Sequence, residues 1–307
     1  MKPFLKNILV PVDFNESSLN AAFYATDIAR KIGGKLHLLY VIETKGIITD
    51  FLQSGNEIVK ITDQAKSKLA EIAADISANH NVEVETRVER GRIYRKILDV
   101  SEDLDARFVI LGENHPFSSE DQTLGTTVFQ VTLRSRAPVI TVKGLQKELG
   151  RNFVVPLDLT KETRRQLLAA IAYGINYKAK MNLVSVKIAN IRMRTSLIQK
   201  KIKKAHKTLM ENNVESDYKL YEYSSEIAPY RRVLQHAVEI DADMIMVLTH
   251  SEGYTYDNYI GAFAHHIINE SSIPVLSLTA SAATFNVEDF FKPILDPVGY
   301  LFKNERY

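Results

Sequence analysis

The sequence has no cysteine among its 307 residues. This absence excludes disulfide bonds, a thiol nucleophile and any metal site built on cysteine ligands. The sequence also lacks an excess of charge of one sign, since its formal net charge is +2. A net charge so close to zero gives no electrostatic basis for binding a nucleic acid or a membrane surface, so we expect neither as a partner.

Long apolar runs are missing as well. No stretch approaches the roughly 20 apolar residues that a membrane-spanning helix needs. The first segment, MKPFLKNILVPVDF, has no long apolar core followed by a small-residue cleavage site, so it does not match a secretory signal. With 45% hydrophobic and 25% charged residues, the composition is typical of a soluble globular protein, and we expect a cytoplasmic location.

Common catalytic motifs are also absent. The sequence contains no Gly-x4-Gly-Lys-Ser/Thr loop, no Gly-x-Ser-x-Gly elbow, no His-Glu-x-x-His pair and no Ser-Gly-Gly loop. The adjacent His265 and His266 would point about 100° apart on a helix, so they cannot chelate one metal ion together. The sequence therefore offers no nucleophile–base pair and does not identify an enzyme.

The most informative feature that is present is an internal repeat at about half the chain length. Five segments of the first half recur in the same order in the second half. The matched pairs are Asn7–Phe14 with Asn152–Leu159, Lys35–Val41 with Lys180–Val186, Leu104–Leu111 with Ile240–Val247, Gly125-Thr126 with Gly261-Ala262, and Ala137–Thr141 with Ile273–Ser277. A repeat this long indicates two copies of one domain, joined near Gly144–Gly150.

Each copy alternates apolar runs with helical patterns. In the first copy the predicted strands are Ile8–Val12, Leu36–Val41, Val82–Val88, Phe108–Leu111 and Val139–Val142, and the predicted helices are Glu16–Ile32, Ile58–Ser77, Ile93–Ser101 and Thr126–Arg134. The alternation predicts an α/β fold with a parallel sheet covered by helices on both faces. Ligands of such sheets bind at the carboxyl ends of the strands, where the strand order reverses.

The predicted domains are residues 1–146 and 150–280, followed by a tail at 281–307. The tail lies outside the repeat and is rich in Phe, Tyr and Leu. Because an apolar segment is unfavourable in water, we expect the tail to pack on a domain face or on a second chain.

The first-strand sequence ILVPVDF, the strand KLHLLYV, the run ARFVILG and the closing RAPVITV together resemble the universal stress protein family in its tandem form. The resemblance covers residues 5–143 and 150–280. It implies two copies of a five-stranded parallel sheet with helices on both faces, an adenine nucleotide alpha hydrolase-like fold. It also implies that the two halves pair through their last strands, Pro138–Val142 beside Pro274–Leu278. A homodimer and an unidentified protein partner stay open.

Some members of that family bind ATP through Gly-x2-Gly-x9-Gly-Ser/Thr after the fourth strand. Here Gly112 and Gly125-Thr126 keep the spacing, but His115 replaces the middle glycine. The resemblance implies a site for ATP or another adenine nucleotide, with Mg²⁺ as its counterion. The implied site residues are Pro11, Asp13, Val41, Gly112, His115, Gly125, Thr126 and Thr127.

Two interpretations of this loop stay open. In one, the glycines and hydroxyls hold phosphate against the start of the helix, and His115 supplies a side-chain donor. In the other, Gly112 forms a turn at the strand end, Gly125 allows close packing of helix on sheet, and Thr126 begins the helix. Asp13 shows the same ambiguity, because a carboxylate there can bind a ribose or cap the neighbouring turn.

The second copy has Leu248, Ser251 and Gly261-Ala262 at the motif positions, so it lacks two glycines and the hydroxyl. The sequence thus predicts a regulatory protein that binds ATP or AMP in domain 1, with a degenerate domain 2. The first alternative is an interaction module that binds no nucleotide, and the second is a slow ATP hydrolase.

Overall fold

The structure is a computed structural model that describes residues 6–44, 55–113, 125–159, 164–187, 195–249 and 261–279. Strands and helices alternate throughout these residues. The strands are β1 (Asn7–Pro11), β2 (Lys35–Glu43), β3 (Glu83–Gly91), β4 (Phe108–Glu113), β5 (Val139–Lys143), β6 (Asn152–Pro156), β7 (Lys180–Val186), β8 (Ser216–Tyr221), β9 (Met244–Thr249) and β10 (Val275–Thr279). The helices are α1 (Glu16–Ile32), α2 (Gly55–His80), α3 (Ile93–Asp103), α4 (Thr126–Arg134), α5 (Arg164–Tyr177), α6 (Thr195–Glu211), α7 (Pro229–Glu239) and α8 (Ala262–Glu270).

All these strands form one sheet of ten, in the order β3-β2-β1-β4-β5-β10-β9-β6-β7-β8. The two halves of this order mirror each other, as the sequence repeat predicts. Pairing is parallel inside each half, and the halves join where β5 and β10 run antiparallel with Ile140 opposite Leu276. The expected contact between the last strands is therefore present, and it makes the two predicted sheets continuous.

Helices cover both faces of the sheet, which explains why the strands are nearly uniform apolar runs. Alternate residues of a strand supply the two cores. In β1, Ile8 and Val10 belong to the core under α1, α2, α5 and α6, whereas Leu9 belongs to the core under α3, α4, α7 and α8. All three side chains are fully buried. The α/β class predicted from the sequence is thus confirmed.

Helix α1 shows how local sequence sets the boundaries. The Asn15 side chain accepts a hydrogen bond from the Ser18 N–H at 2.9 Å and so caps the helix start. At the other end Gly33 adopts φ 61° and ψ 48°, the left-handed conformation that glycine enters without steric cost. Both boundaries agree with the sequence prediction.

The repeat extends to buried polar contacts. Asn7 donates to the Leu104 carbonyl at 2.8 Å and accepts from His37 Nε2 at 3.1 Å. In the second half Asn152 donates to the Ile240 carbonyl at 2.7 Å and accepts from Asn182 at 2.6 Å. The same two positions of the repeat therefore join the first strand to its neighbours in both halves.

The segment between the halves is fixed by Asp27 of α1. Its side chain is 9% exposed, forms ion pairs with Arg30 at 2.8 Å and Lys31 at 2.9 Å, and accepts from the Leu149 N–H at 2.8 Å. Burial alone would raise the pKa of Asp27, but the hydrogen bonds from Lys31, Arg30 and Leu149 outweigh it and hold the pKa below its ordinary value. The ionised carboxylate thus ties α1 to the connecting segment.

We expect Asp27→Ala to lower the free energy of unfolding by about 2 to 3 kcal/mol at pH 7, because it removes charged hydrogen bonds and leaves a buried N–H without a partner. A lowered pKa gives stabilisation above the ordinary pKa of about 4, and this stabilisation is lost as the pH falls through the folded value. Urea unfolding at pH 7 and near pH 3 should show the variant and the original chain converging in acid. Asp99→Ala, which removes an exposed carboxylate, is the control and should cost under about 0.5 kcal/mol. If the free energy of unfolding of Asp27→Ala differed from that of the original chain by the same amount at both pH values, the stabilising role of the ionised Asp27 carboxylate would be contradicted.

The predicted domain limits remain predictions. The tail at 281–307 lies outside the described residues. No helix among the residues that the structure describes is both long and apolar enough to cross a membrane.

Candidate functional site

The candidate site lies where the strand order of the first half reverses. Strand β1 has β2 on one side and β4 on the other, so the chain leaves β1 and β4 at the same edge of the sheet but toward different helices. The carboxyl ends of parallel strands at such a switch point form a crevice. The turn after β1 and the described ends of β2 and β4 lie at this edge.

Asp13 lies in the turn that leaves β1. It is exposed, and its carboxylate accepts hydrogen bonds from the Asn15 N–H at 3.2 Å and the Asn15 amide at 2.7 Å. Phe14 between them has φ 66°, a conformation uncommon for a residue with a side chain. The turn-capping role that the sequence left open for Asp13 is therefore present, and the exposed carboxylate still borders the crevice.

Pro11 and Val41 occupy the expected strand ends. Pro11 is the last residue of β1 and lies opposite Leu39 of β2, while Val41 is half-buried and packs on the core under α3 and α4. Phe14 stacks on Tyr40 with ring centroids 4.9 Å apart. This aromatic pair packs beside the turn that carries Asp13 and supports its strained backbone. The sequence analysis did not single out the pair.

Gly112 is part of β4, where it lies opposite Val142 of β5, and so it does not form a strand-end turn as one interpretation expected. A Cβ on Gly112 would lie 2.1 Å from the Ser17 carbonyl oxygen and 2.7 Å from the Ser18 nitrogen. These are backbone atoms of the first turn of α1. The glycine therefore lets α1 approach the end of β4, a role that requires no ligand.

Glu113 ends β4 and was not predicted as a site residue. Its Oε1 accepts a hydrogen bond at 3.0 Å from the N–H of Gly125, the residue that caps the start of α4. Its side chain is buried, and its Oε2 forms no hydrogen bond with any residue that the structure describes. The signal in the sequence was a charged residue that ends the apolar run FVIL after a single glycine.

Burial raises the pKa of Glu113 above its ordinary value, and the Gly125 N–H and the charge of Lys143 oppose that rise only partly. Lys143 lies opposite Glu113 at the end of β5 and is itself buried, so its pKa is lowered by desolvation against the opposing charges of Glu113 and Glu270. The Lys143 ammonium donates to the Asn269 carbonyl of α8. A buried acid and a buried base thus lie side by side at the end of the fourth and fifth strands.

The remaining motif residues are at or near the start of α4. Thr126 is its first residue and is exposed, and Thr127 is half-buried. Gly125 has φ −53° and ψ 136°, a conformation open to any residue. Among the described residues, a Cβ there would meet only Glu113 Oε1 at 3.8 Å, so these residues do not support the expected close packing of helix on sheet at Gly125. His115 lies outside the described residues.

The second half has the same backbone with different chemistry. Gly261 caps α8 with φ −51° and ψ 138°, close to the values of Gly125. Leu248 stands where the first half has Gly112, and Thr249 stands where it has Glu113, with its hydroxyl donating to the Leu278 carbonyl at 3.2 Å. The charged pair at the strand ends therefore belongs to the first half alone.

A metal ion was expected only as the companion of a nucleotide. Across the described ranges, no group of three or more His, Asp or Glu side chains lies close enough together to hold one. The adjacent His265 and His266 point to different neighbours: His265 packs edge-on against Phe129, and His266 stacks on Tyr230 with centroids 4.4 Å apart. Mg²⁺ stays a prediction.

Solved structures share this architecture. A universal stress protein from Archaeoglobus fulgidus superposes with a TM-score of 0.70 at 19% identity, covering 89% of this chain and 96% of that one. A Pseudomonas aeruginosa protein assigned to the same family superposes with a TM-score of 0.60 at 15% identity, covering 95% and 98%. At these identities the likeness supports the fold alone. It defines a class by fold alone, that of α/β proteins with the architecture described above.

Sequence comparison points to one family for the first half of the chain. The model of the universal stress protein family matches residues 5–143. A universal stress protein of Methanocaldococcus jannaschii is 22% identical over 145 residues, which cover 47% of this chain and 85% of that protein. The first half of the chain is therefore similar to the universal stress protein family.

Proposed function

We propose that this chain is a regulatory protein that binds an adenine ligand in the crevice of its first half and none in its second half. The similarity of the first half to the universal stress protein family suggests the ligand class, since the motif that holds ATP in some members of that family is partly kept here. Occupancy of the crevice would then alter the surface that a protein partner contacts.

The observation that carries this proposal is the contact between the two sides of the crevice. The N–H of Asp13 donates to the Ser18 hydroxyl at 3.2 Å, and the backbone of Ser17 and Ser18 packs directly on Gly112. The turn after β1 and the end of β4 are thus held together by α1. This contact supports the proposal because it brings the turn that carries Asp13 close to the strand end that carries Gly112.

A second function is favoured by a different observation. Gly112 is needed for the approach of α1 whether or not a ligand is bound, and the Gly125 N–H already has a partner in Glu113. Packing therefore accounts for Gly112 without a nucleotide, and the Gly125 N–H is not free to bind one. On this alternative the protein acts as an interaction module through its surfaces alone. We do not propose ATP hydrolysis, because no described nucleophile–base pair supports it.

Calorimetry on the full-length protein separates these functions. We expect binding of at least one of adenosine, AMP and ATP, and we expect Asp13→Ala to weaken that binding by about tenfold or more, because a charged hydrogen-bond partner is lost. Asp158→Ala changes the equivalent residue of the second half and is the matched control, with affinity within about twofold of the original.

Two results would contradict the proposal. Absence of heat for all three ligands would leave the interaction module as the function. Equal weakening by Asp13→Ala and Asp158→Ala would show that the two halves do not differ in the way proposed.

A further inference from the structure

The start of α4 differs from a vacant phosphate site. In phosphate-binding loops the N–H groups at a helix start point at the anion and the helix dipole favours its charge. Here the N–H of Gly125 donates to Glu113 Oε1 at 3.0 Å. The protein's own carboxylate therefore occupies one of the N–H donors that a phosphate would use.

Glu113 is held in this position by its surroundings. Its backbone pairs with β5, where it lies opposite Lys143, and its side chain is only 9% exposed. The pairing with β5 fixes the Glu113 backbone, and burial together with the hydrogen bond from the Gly125 N–H limits the movement of the carboxylate. A ligand in the crevice consequently meets the carboxylate in place.

The Glu113 carboxylate has one unused acceptor. Oε2 is buried and has no hydrogen-bond partner among the described residues, a state that costs free energy until a donor arrives. A ligand hydroxyl can supply such a donor, whereas a phosphate oxygen only accepts and carries like charge. The Lys143 ammonium is not aimed at a phosphate here, because it donates to the Asn269 carbonyl.

We propose that Glu113 is a specificity-determining residue that makes the first-half crevice bind an adenine nucleoside and reject its phosphorylated forms. The 5′-hydroxyl of the nucleoside, which AMP and ATP carry as a phosphate ester, donates a hydrogen bond to Glu113 Oε2. The Gly125 N–H stays hydrogen-bonded to Oε1. This inference rests on the proposed function for the adenine part of the ligand. It adds that the other end of the ligand carries a hydroxyl rather than a phosphate.

The second half provides the natural substitution for a test, since Thr249 occupies the equivalent place. The full-length protein and its Glu113→Gln and Glu113→Thr variants are titrated with adenosine, AMP and ATP by calorimetry. Glu113→Gln keeps the shape of the side chain and removes its charge. Glu211→Gln, which removes an exposed carboxylate of α6, is the charge-matched control.

We expect the unmodified protein to bind adenosine at least about tenfold more tightly than AMP or ATP, because a like charge at a binding site is strongly unfavourable. In both Glu113 variants the affinity for AMP should be within about threefold of the affinity for adenosine. Glu211→Gln should leave the ratio of these two affinities unchanged. Thermal melting of each variant checks that it is folded.

The outcomes distinguish this inference from the function on which it rests. Binding of AMP or ATP by the unmodified protein as tightly as adenosine would overturn the role of Glu113 and leave adenine binding intact. An unchanged ratio of adenosine affinity to AMP affinity in both folded Glu113 variants would also overturn the role of Glu113 and leave adenine binding intact. Absence of binding for every ligand in every variant would overturn both.

Discussion

Replacement of Gly112 with alanine should lower the free energy of unfolding by about 3 kcal/mol, the upper part of the range for overpacked sites. The added Cβ would lie 2.1 Å from the Ser17 carbonyl oxygen and 2.4 Å from the Ser17 carbonyl carbon. These are backbone atoms of a helix, so they cannot rotate away as a side chain could. Relief requires α1 to move off the sheet, which would loosen the core around Ala21 and Ala25, both fully buried.

Gly125→Ala is the matched control, because it removes the other glycine that keeps the motif spacing. A Cβ at Gly125 would have no atom of the described residues closer than 3.8 Å, and the backbone conformation suits alanine. Its cost should be about 1 kcal/mol or less, the effect of a poorer helix cap. Urea unfolding without any ligand present measures both variants. Equal costs would show that α1 shifts freely at Gly112 and would contradict the packing role.

This contrast explains what the glycine pattern could and could not predict. Gly112 and Gly125 have the spacing of a nucleotide loop, and the sequence offered a ligand or close packing as the reason. Ligand binding and close packing both need a position without a Cβ, so the amino-acid sequence alone does not distinguish them. Only the distance to Ser17 shows that the helix occupies the space beside Gly112.

The fold itself followed closely from the sequence. Runs such as Phe108–Leu111 predicted buried strands because apolar residues on both faces require helices on both sides. The run at Val82–Val88 alternates apolar and polar residues, the pattern of a strand with one exposed face, and β3 is at the edge of the sheet. The limits of α1 were set by local chemistry, as with the Gly33 cap. Helix α2 extends three residues beyond its predicted Ile58–Ser77 at each end.

The site was less predictable because its key contact is not local. Glu113 bonds to a residue 12 positions later, across a loop, and nothing in the spacing indicates that the carboxylate turns toward α4. The burial of Lys143 on the next strand was likewise hidden, since a lysine at a strand end is usually exposed. Pairing of β4 with β5 brings the two charges together, and that register is a property of the whole sheet.

The contact between the halves also depends on the whole sheet, and it carries the second large effect. Leu276 is fully buried at the centre of β10, directly opposite Ile140 of β5. Strand β5 lies between β4 of the first half and β10 of the second half, and β10 lies between β5 and β9. The apolar residues at this seam therefore stabilise both halves at once.

We expect Leu276→Ala to lower the free energy of unfolding by about 3 to 5 kcal/mol, since it removes buried methyl groups and leaves a cavity in the core under α1, α2, α5 and α6. Because β5 and β10 share one sheet, the loss should appear as a single urea transition at lower denaturant, monitored by circular dichroism. Leu145→Ala, at a side chain that is 82% exposed in the connecting segment, is the control and should change the value by under about 0.5 kcal/mol. Two separate transitions, with only one of them shifted, would show that the halves unfold independently and that the β5–β10 seam adds no cooperativity.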